Sequence, residues 1–239
     1  MPLPKIATPT YELELPSTGA SINYRPFLVK EEKVLVIALE SEDNKQITTA
    51  IKSVLKNCIL SKGIKVEDLP TFDIEYLFLN IRGKSVGEDL EVNIICPDDE
   101  KTQVPVTIAL DEIEVQKDDN HTNKIKIDDS IMMEMKYPSL EQFIKNNFDF
   151  NDANQMEQSF DLIGSCIDKI YSEDEVWATA DCTKKEVKEF LESMNSSQFK
   201  DIEKFFETMP KLSHTIKVKN PKTKVESEVV LEGLASFFA

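Results

Sequence analysis

Asp89-Leu90-Glu91-Val92-Asn93-Ile94-Ile95-Cys96-Pro97-Asp98-Asp99-Glu100-Lys101-Thr102-Gln103-Val104-Pro105-Val106-Thr107-Ile108 decides the fold class. Leu90 to Cys96 and Gln103 to Ile108 carry the two-residue period of strands, and Pro97 to Lys101 is a polar tip between them. The strand period runs from Asp89 to Gln116, which predicts a projecting hairpin over about 89–116. Its flanks follow a helical period, so the chain mixes the two kinds of element.

Upstream, Thr10 to Leu15 alternates as a strand, Pro16-Ser17-Thr18-Gly19 is a turn, and Ser21 to Phe27 returns as a second strand. Val34 to Leu39 is short and apolar enough for a strand, but the charged lead-in Lys30-Glu31-Glu32-Lys33 suits a helical first turn, so it reads as a helix. Asn44 is the expected N-cap of a second helix, with Ile47, Ile51, Val54, Leu55 and Cys58 as its apolar stripe and Gly63 as its end. After Pro70 comes a third helix, apolar nearly all round through Phe72, Ile74, Tyr76, Leu77, Phe78, Leu79 and Ile81, and so expected to be buried.

Downstream, Asn123 to Ile127 and Ile131 to Tyr137 read as short strands around Asp128-Asp129-Ser130. Pro138 opens a mainly helical region, with helices expected over 140–147, 156–171, 184–194 and 198–208. Thr183 with Glu186 forms a capping box, and Ser196 is the expected cap of the last of these helices, whose stripe is Phe199, Ile202, Phe205 and Phe206. A hairpin over 213–230 and a short helical stub follow. The expected class is α+β, with a mixed region 1–137 and a helical region 138–239.

The 239 residues are 41% hydrophobic and 30% charged, enough to bury a core. The formal net charge is -16, and it is unevenly placed. Residues 61–195 hold 14 Lys/Arg against 31 Asp/Glu, while both ends are nearly balanced. Such a field repels phosphates, which argues against nucleic acid as a partner. No stretch is apolar enough for a membrane span, and Met1-Pro2-Leu3-Pro4-Lys5 lacks the apolar core of a signal peptide. Cys58, Cys96, Cys166 and Cys182 are far apart and read as reduced thiols of a cytoplasmic protein.

Motifs for chemistry are weak. Gly83-Lys84-Ser85 resembles the end of a phosphate loop, but Phe78 stands where that loop needs glycine. His121 and His214 have no Cys or carboxylate at a metal-helix spacing, and His121 reads as a surface residue of a turn. Asp98-Asp99-Glu100 and Asp118-Asp119 lack the alternation and glycine of a calcium loop. Paired carboxylates are too common in so acidic a chain to point to acid–base catalysis. Trp177 reads as a core or interface anchor between two helices. We therefore expect no catalytic residue, no metal and no cofactor. Leu231, Leu234, Phe237 and Phe238 fall at helical spacing on a stub too short to be stable alone, which makes them the expected partner-binding residues. The alternative is that they belong to the chain's own core.

Several segments together resemble the baseplate hub proteins of T-even-type contractile-tailed phages. They are Pro9 to Thr18, Tyr24 to Lys33, Lys84-Ser85-Val86-Gly87-Glu88, Cys96-Pro97-Asp98-Asp99, Phe205 to Leu212, Asn220-Pro221-Lys222-Thr223, Leu231-Glu232-Gly233-Leu234 and Phe237-Phe238. The resemblance covers essentially the whole chain, and its motifs are structural. It implies a non-enzymatic morphogenesis protein acting in the infected bacterial cytoplasm. Other hub or tape-measure proteins, or a second copy of the chain, would be its partners. It also implies two versions of the role, an assembly factor that leaves and a subunit that stays in the virion baseplate. A small metal-dependent hydrolase is the contrasting class, disfavoured by the sparse histidines and the lack of a nucleophile motif.

Overall fold

A computed structural model describes residues 6–41, 43–139 and 155–236 of the chain. In chain order the elements are β1 (Tyr11–Glu14), β2 (Ser21–Tyr24), α1 (Val29–Glu40), α2 (Asn44–Cys58), α3 (Thr71–Val86), β3 (Asp89–Ile95), β4 (Gln103–Ala109) and β5 (Glu114–Gln116). Next come β6 (Lys124–Lys126), β7 (Met132–Met135), α4 (Gln155–Cys166), β8 (Ile167–Tyr171), β9 (Val176–Ala178), α5 (Lys184–Glu192) and α6 (Ser196–Thr208). The terminal elements are β10 (Lys211–Lys219), β11 (Glu226–Glu232) and α7 (Gly233–Ser236). The class is α+β, built on several small sheets.

Two compact units divide the chain. The first comprises Met1–Val66, Phe72–Gln116 and Lys211–Ala239; the second comprises Glu67–Thr71 and Lys117–Pro210. A single cut at 137/138 therefore does not describe the organisation. The terminal hairpin returns to the first unit because β10 pairs antiparallel with β5, Lys211 opposite Gln116 and Ser213 opposite Glu114.

In the first unit α3 is the buried central helix that its all-round apolarity predicts. Phe72, Ile74, Leu77, Phe78, Leu79 and Ile81 are all buried. Asp73 is buried too, accepting from the Ser17 N–H at 3.0 Å and from the Ser17 hydroxyl, which fastens the β1–β2 turn to the helix. The β3–β4 hairpin is not a projection. Its inner residues Leu90, Val92, Ile94, Cys96 and Ile108 share one core with Leu79 of α3 and with Leu212, Ile216, Val218 and Leu231 of the β10–β11 hairpin. The alternation that makes a strand amphipathic supplies the reason, since one apolar sheet face must find a second. Nor does the hairpin reach Gln116. The chain turns at Leu110–Glu112, and β5 joins the other sheet.

In the second unit the sheet runs β6-β7-β8-β9. Ile125, Met133, Met135, Ile167 and Ile170 of the sheet form one core with Ile163 of α4, Leu191 of α5, and Ile202 and Phe205 of α6. The long helix expected over 156–171 is a helix followed at once by a strand: α4 stops at Cys166 and β8 begins at Ile167. Ile167, Ile170 and Tyr171 favour strand geometry, and β8 is central, paired with β7 on one side and β9 on the other. Trp177 accordingly lies on a strand, opposite Ile170, and not between two helices. The expected helix over 140–147 lies outside the described residues.

Cap chemistry sets several helix starts. Thr183 and Glu186 form the capping box that starts α5. Asn195, one residue before the expected Ser196, caps α6 by accepting from Ser197 and Gln198 N–H groups. Asp43 caps α2, not Asn44, and that helix ends at Cys58, before Gly63.

Candidate interaction surfaces

The four expected partner-binding residues do not form one helical face. Leu231 lies in β11, opposite His214, and is 6% exposed within the first unit's core. β11 stays hydrogen-bonded to β10 as far as Glu232, so Leu231 follows the strand period and not the helical one. Gly233 then turns the chain at φ 71°, a left-handed conformation that glycine adopts without strain. A Cβ there would also stand 3.2 Å from Oε1 of Glu75. Leu234 falls within the backbone of α7, but its side chain, with Phe237 and Phe238, lies outside the described residues.

The acidic hairpin tip has a role that its polarity did not announce. Asp98 meets the turn between β10 and β11. Nδ2 of Asn220 donates to both Asp98 oxygens, at 3.0 and 3.1 Å, and the Thr223 hydroxyl donates to Oδ2. Asn220 is 1% exposed and also accepts from the Lys222 N–H at 2.9 Å through Oδ1. The Thr223 hydroxyl, and then the Asn220 amide, hold the Asp98 carboxyl below the usual aspartate range. Asp99 closes its own turn, accepting from the Thr102 and Lys101 N–H groups, and its pKa is driven further down, chiefly by the Thr102 hydroxyl. Glu100, at φ 53°, is exposed as a tip residue should be. Asp98 and Glu100 are both exposed, as a polar tip should be, and Asp99 is half-buried; what the polarity leaves out is the bond from Asp98 to the second hairpin.

A second joint links the amino end to α3. Phe27 N–H donates to Oγ of Ser85 at 2.9 Å, and Ser85 Oγ donates to the Ile81 carbonyl at 2.6 Å. Gly83-Lys84-Ser85 thus forms the last turns of a helix and no phosphate loop. Beside it Glu31, 3% exposed, accepts from Arg25 Nη2 at 3.1 Å and from the Leu28 N–H at 2.8 Å. Burial pushes the Glu31 carboxyl up, but the hydrogen bonds from Arg25, Leu28 and Lys30 outweigh it and leave the pKa below its ordinary value.

His121 is not a free surface histidine. Its ring lies 5.6 Å from that of Tyr137 and 5.2 Å from that of Phe205. Nδ1 is 2.9 Å from the Thr208 hydroxyl and Nε2 is 3.0 Å from the Tyr137 hydroxyl. Thr208 donates its own proton to the Lys204 carbonyl. Nδ1 therefore carries the hydrogen and Nε2 accepts from Tyr137. Burial lowers the His121 pKa, against the opposing charge of Asp118, and so favours the neutral ring.

Groups that could do chemistry are sparse. Among the described residues, no group of three or more His, Cys, Asp or Glu could hold a metal ion. All four cysteines are free, and burial pushes Cys58 up to about 11 and Cys166 up to about 12. In a depression of the second unit lined by Lys136, Phe160 and Lys184, Ser165 donates to the Leu162 carbonyl and Cys182 to the Ala178 carbonyl. Among the described residues, no helix is long and apolar enough to cross a membrane. Large apolar side chains nevertheless reach solvent along α1 and at Val176 and Trp177 of β9, and singly elsewhere, as at Ile6, Val86, Ile95 and Val230.

Docked hairpins, buried polar joints and exposed apolar side chains make up these surfaces, a set suited to contact with other proteins. Residues 8–239 match the family described as T4 bacteriophage base plate protein, and the chain belongs to that family. No curated protein and no solved structure matches it. The match runs through both joints. Cys96 to Asp99 meets Asn220 to Thr223, and Tyr24 to Lys33 meets Lys84-Ser85, so segments that carried the resemblance in sequence touch in space.

Proposed function

We propose that this baseplate-family chain is a non-enzymatic assembly factor for the hub of the phage tail baseplate, binding hub or tape-measure components in the host cytoplasm during assembly. The observation that supports this most is the division of charge and apolar surface. The second unit carries 11 Lys and 23 Asp/Glu, while the first carries 17 Lys/Arg and 21 Asp/Glu. A strongly acidic body suits a protein that holds an aggregation-prone partner in solution. Exposed Val176 and Trp177 on β9 offer a place where a partner is held. Leu234, Phe237 and Phe238 are further contact residues in this proposal; Leu231 is not, being core.

Quantitative mass spectrometry of purified virions against infected-cell lysate tests the role. An assembly factor is abundant in lysate and missing from finished particles. Its presence in virions at the stoichiometry of a baseplate subunit would overturn this reading in favour of a permanent hub subunit. Stoichiometric metal in the purified protein, together with hydrolytic activity that chelation abolishes, would move it to the enzyme class.

A further inference from the structure

We propose that α1 is the contact helix of an antiparallel dimer formed by two copies of this chain. The proposal rests on the exposed face of α1 and not on the hub reading.

Glu31 and Ala38 are the buried residues of α1, and they define its inward side. At 100° per residue the opposite side carries Val29, Lys33, Val36 and Glu40, with Ile37 beside them. Val29 is 71% exposed, Ile37 64% and Val36 46%. Lys33 and Glu40 are exposed as well. Lys30 and Glu32, also exposed, flank this stripe; on its axis one cation stands near the start and one anion near the end, an arrangement complementary to itself in one orientation only. Laid antiparallel on a second copy, Lys33 faces Glu40 of the other helix in both directions, and Val36 meets Ile37. Laid parallel and in register, Lys33 would face Lys33 and Glu40 would face Glu40, which is unfavourable. This self-complementarity under a two-fold axis selects a second copy as the occupant.

Charge elsewhere in the chain points the same way. The net charge is -16, so two copies repel over most of their surface. Residues 28–58, which hold α1 and α2, carry five Lys/Arg and five Asp/Glu and are locally neutral. This is a face on which two such chains can meet without local like-charge repulsion. A helix of 12 residues is about 18 Å long. Such a contact falls short of the roughly 800 Å² per partner of a standard stable interface, so the dimer is reversible and depends on concentration.

Sedimentation equilibrium on the full chain, up to roughly 100 µM, tests this. The wild type is expected to show a monomer–dimer equilibrium. Val36→Glu with Ile37→Glu should abolish it while leaving the circular dichroism spectrum unchanged. Lys33→Glu alone and Glu40→Lys alone should each weaken dimerisation by about tenfold, and the double reversal should restore it. If the glutamate pair unfolds the chain, Val36→Ser with Ile37→Ser is the replacement, and it too must remove the dimer. A wild type that stays monomeric overturns the proposal, as it would if α1 instead served a different protein. A dimer that survives loss of Val36 and Ile37 overturns it as well. Failure of the double reversal to rescue excludes the antiparallel register and equally overturns it.

Discussion

In the β10–β11 hairpin Leu212, Ile216, Val218 and Leu231 are all under a tenth exposed, whereas Val29, Val36 and Ile37 of α1 stand largely in solvent. Both segments are short and rich in aliphatic residues. They differ in what lies opposite. The hairpin alternates, so one face gathers its apolar residues, and the inner face of β3–β4 meets it. Cross-strand pairs Lys217–Glu228 and Lys219–Glu226 on the other face hold the register. Helix α1 instead turns a carboxylate inward. Glu31 is fixed by Arg25 and by the Leu28 N–H, so that polar joint decides which side of the helix is buried. The aliphatic residues on the other side are left outside. Burial follows the partner face and not apolar content.

The largest expected effect tests the buried half of this contrast. Leu212→Ala should destabilise the protein by about 2–5 kcal/mol, because its site is fully enclosed and cannot collapse freely. Urea unfolding measures it, and a loss under about 1 kcal/mol would mean that the two hairpins do not share one core.

Next comes the joint between the hairpin tips. Asn220→Ala removes two donors to Asp98 and the acceptor for Lys222, and should cost about 1–3 kcal/mol by the same measurement. The joint also predicts a pH dependence. The folded pKa of Asp98 lies below the ordinary aspartate value. The unfolded chain therefore takes up the proton first as pH falls. The stability that Asp98 contributes is complete above the unfolded value and is lost as pH drops through the folded one. Asp98→Asn should flatten the acid limb of a melting-temperature profile between about pH 5 and pH 2. An unchanged profile would remove the carboxylate from the joint.

The smallest expected effect belongs to α1. Val36→Ser with Ile37→Ser should change the stability of dilute protein by less than about 1 kcal/mol, as expected for surface positions. A loss of several kcal/mol would show that the chain itself covers this face, and the contrast with β10–β11 would disappear.

Much of the local structure was legible from residues. Strand periods at 90–95 and 103–108, the buried α3, the Thr183–Glu186 cap and the stripe of α6 all follow from side-chain pattern alone. Two kinds of feature were not. Ile163, Ile167 and Ile170 fit a helical face, yet the last two belong to a strand, because pairing with both β7 and β9 outweighs local period. Leu231 and Leu234 also fit a helical spacing, and Gly233 breaks it with a left-handed turn. The joints were invisible for a different reason. Asp98 and Asn220 are 122 positions apart, and nothing in a solvated-looking acidic tip announces a buried amide as its partner.

Sequence alone determined the mixed α+β class, the acidic middle and, through scattered structural segments, the resemblance to phage baseplate proteins. Each of these is carried by residue type and short-range period, which a chain displays before it folds. Tertiary structure alone decided that the terminal hairpin closes the first unit's core, that Asp98 and Asn220 meet, and that α1 leaves its aliphatic side in water. Those outcomes depend on which faces meet across long separations. A single buried carboxylate or one residue of strand register can reverse them without altering the apolar pattern that is read along the chain.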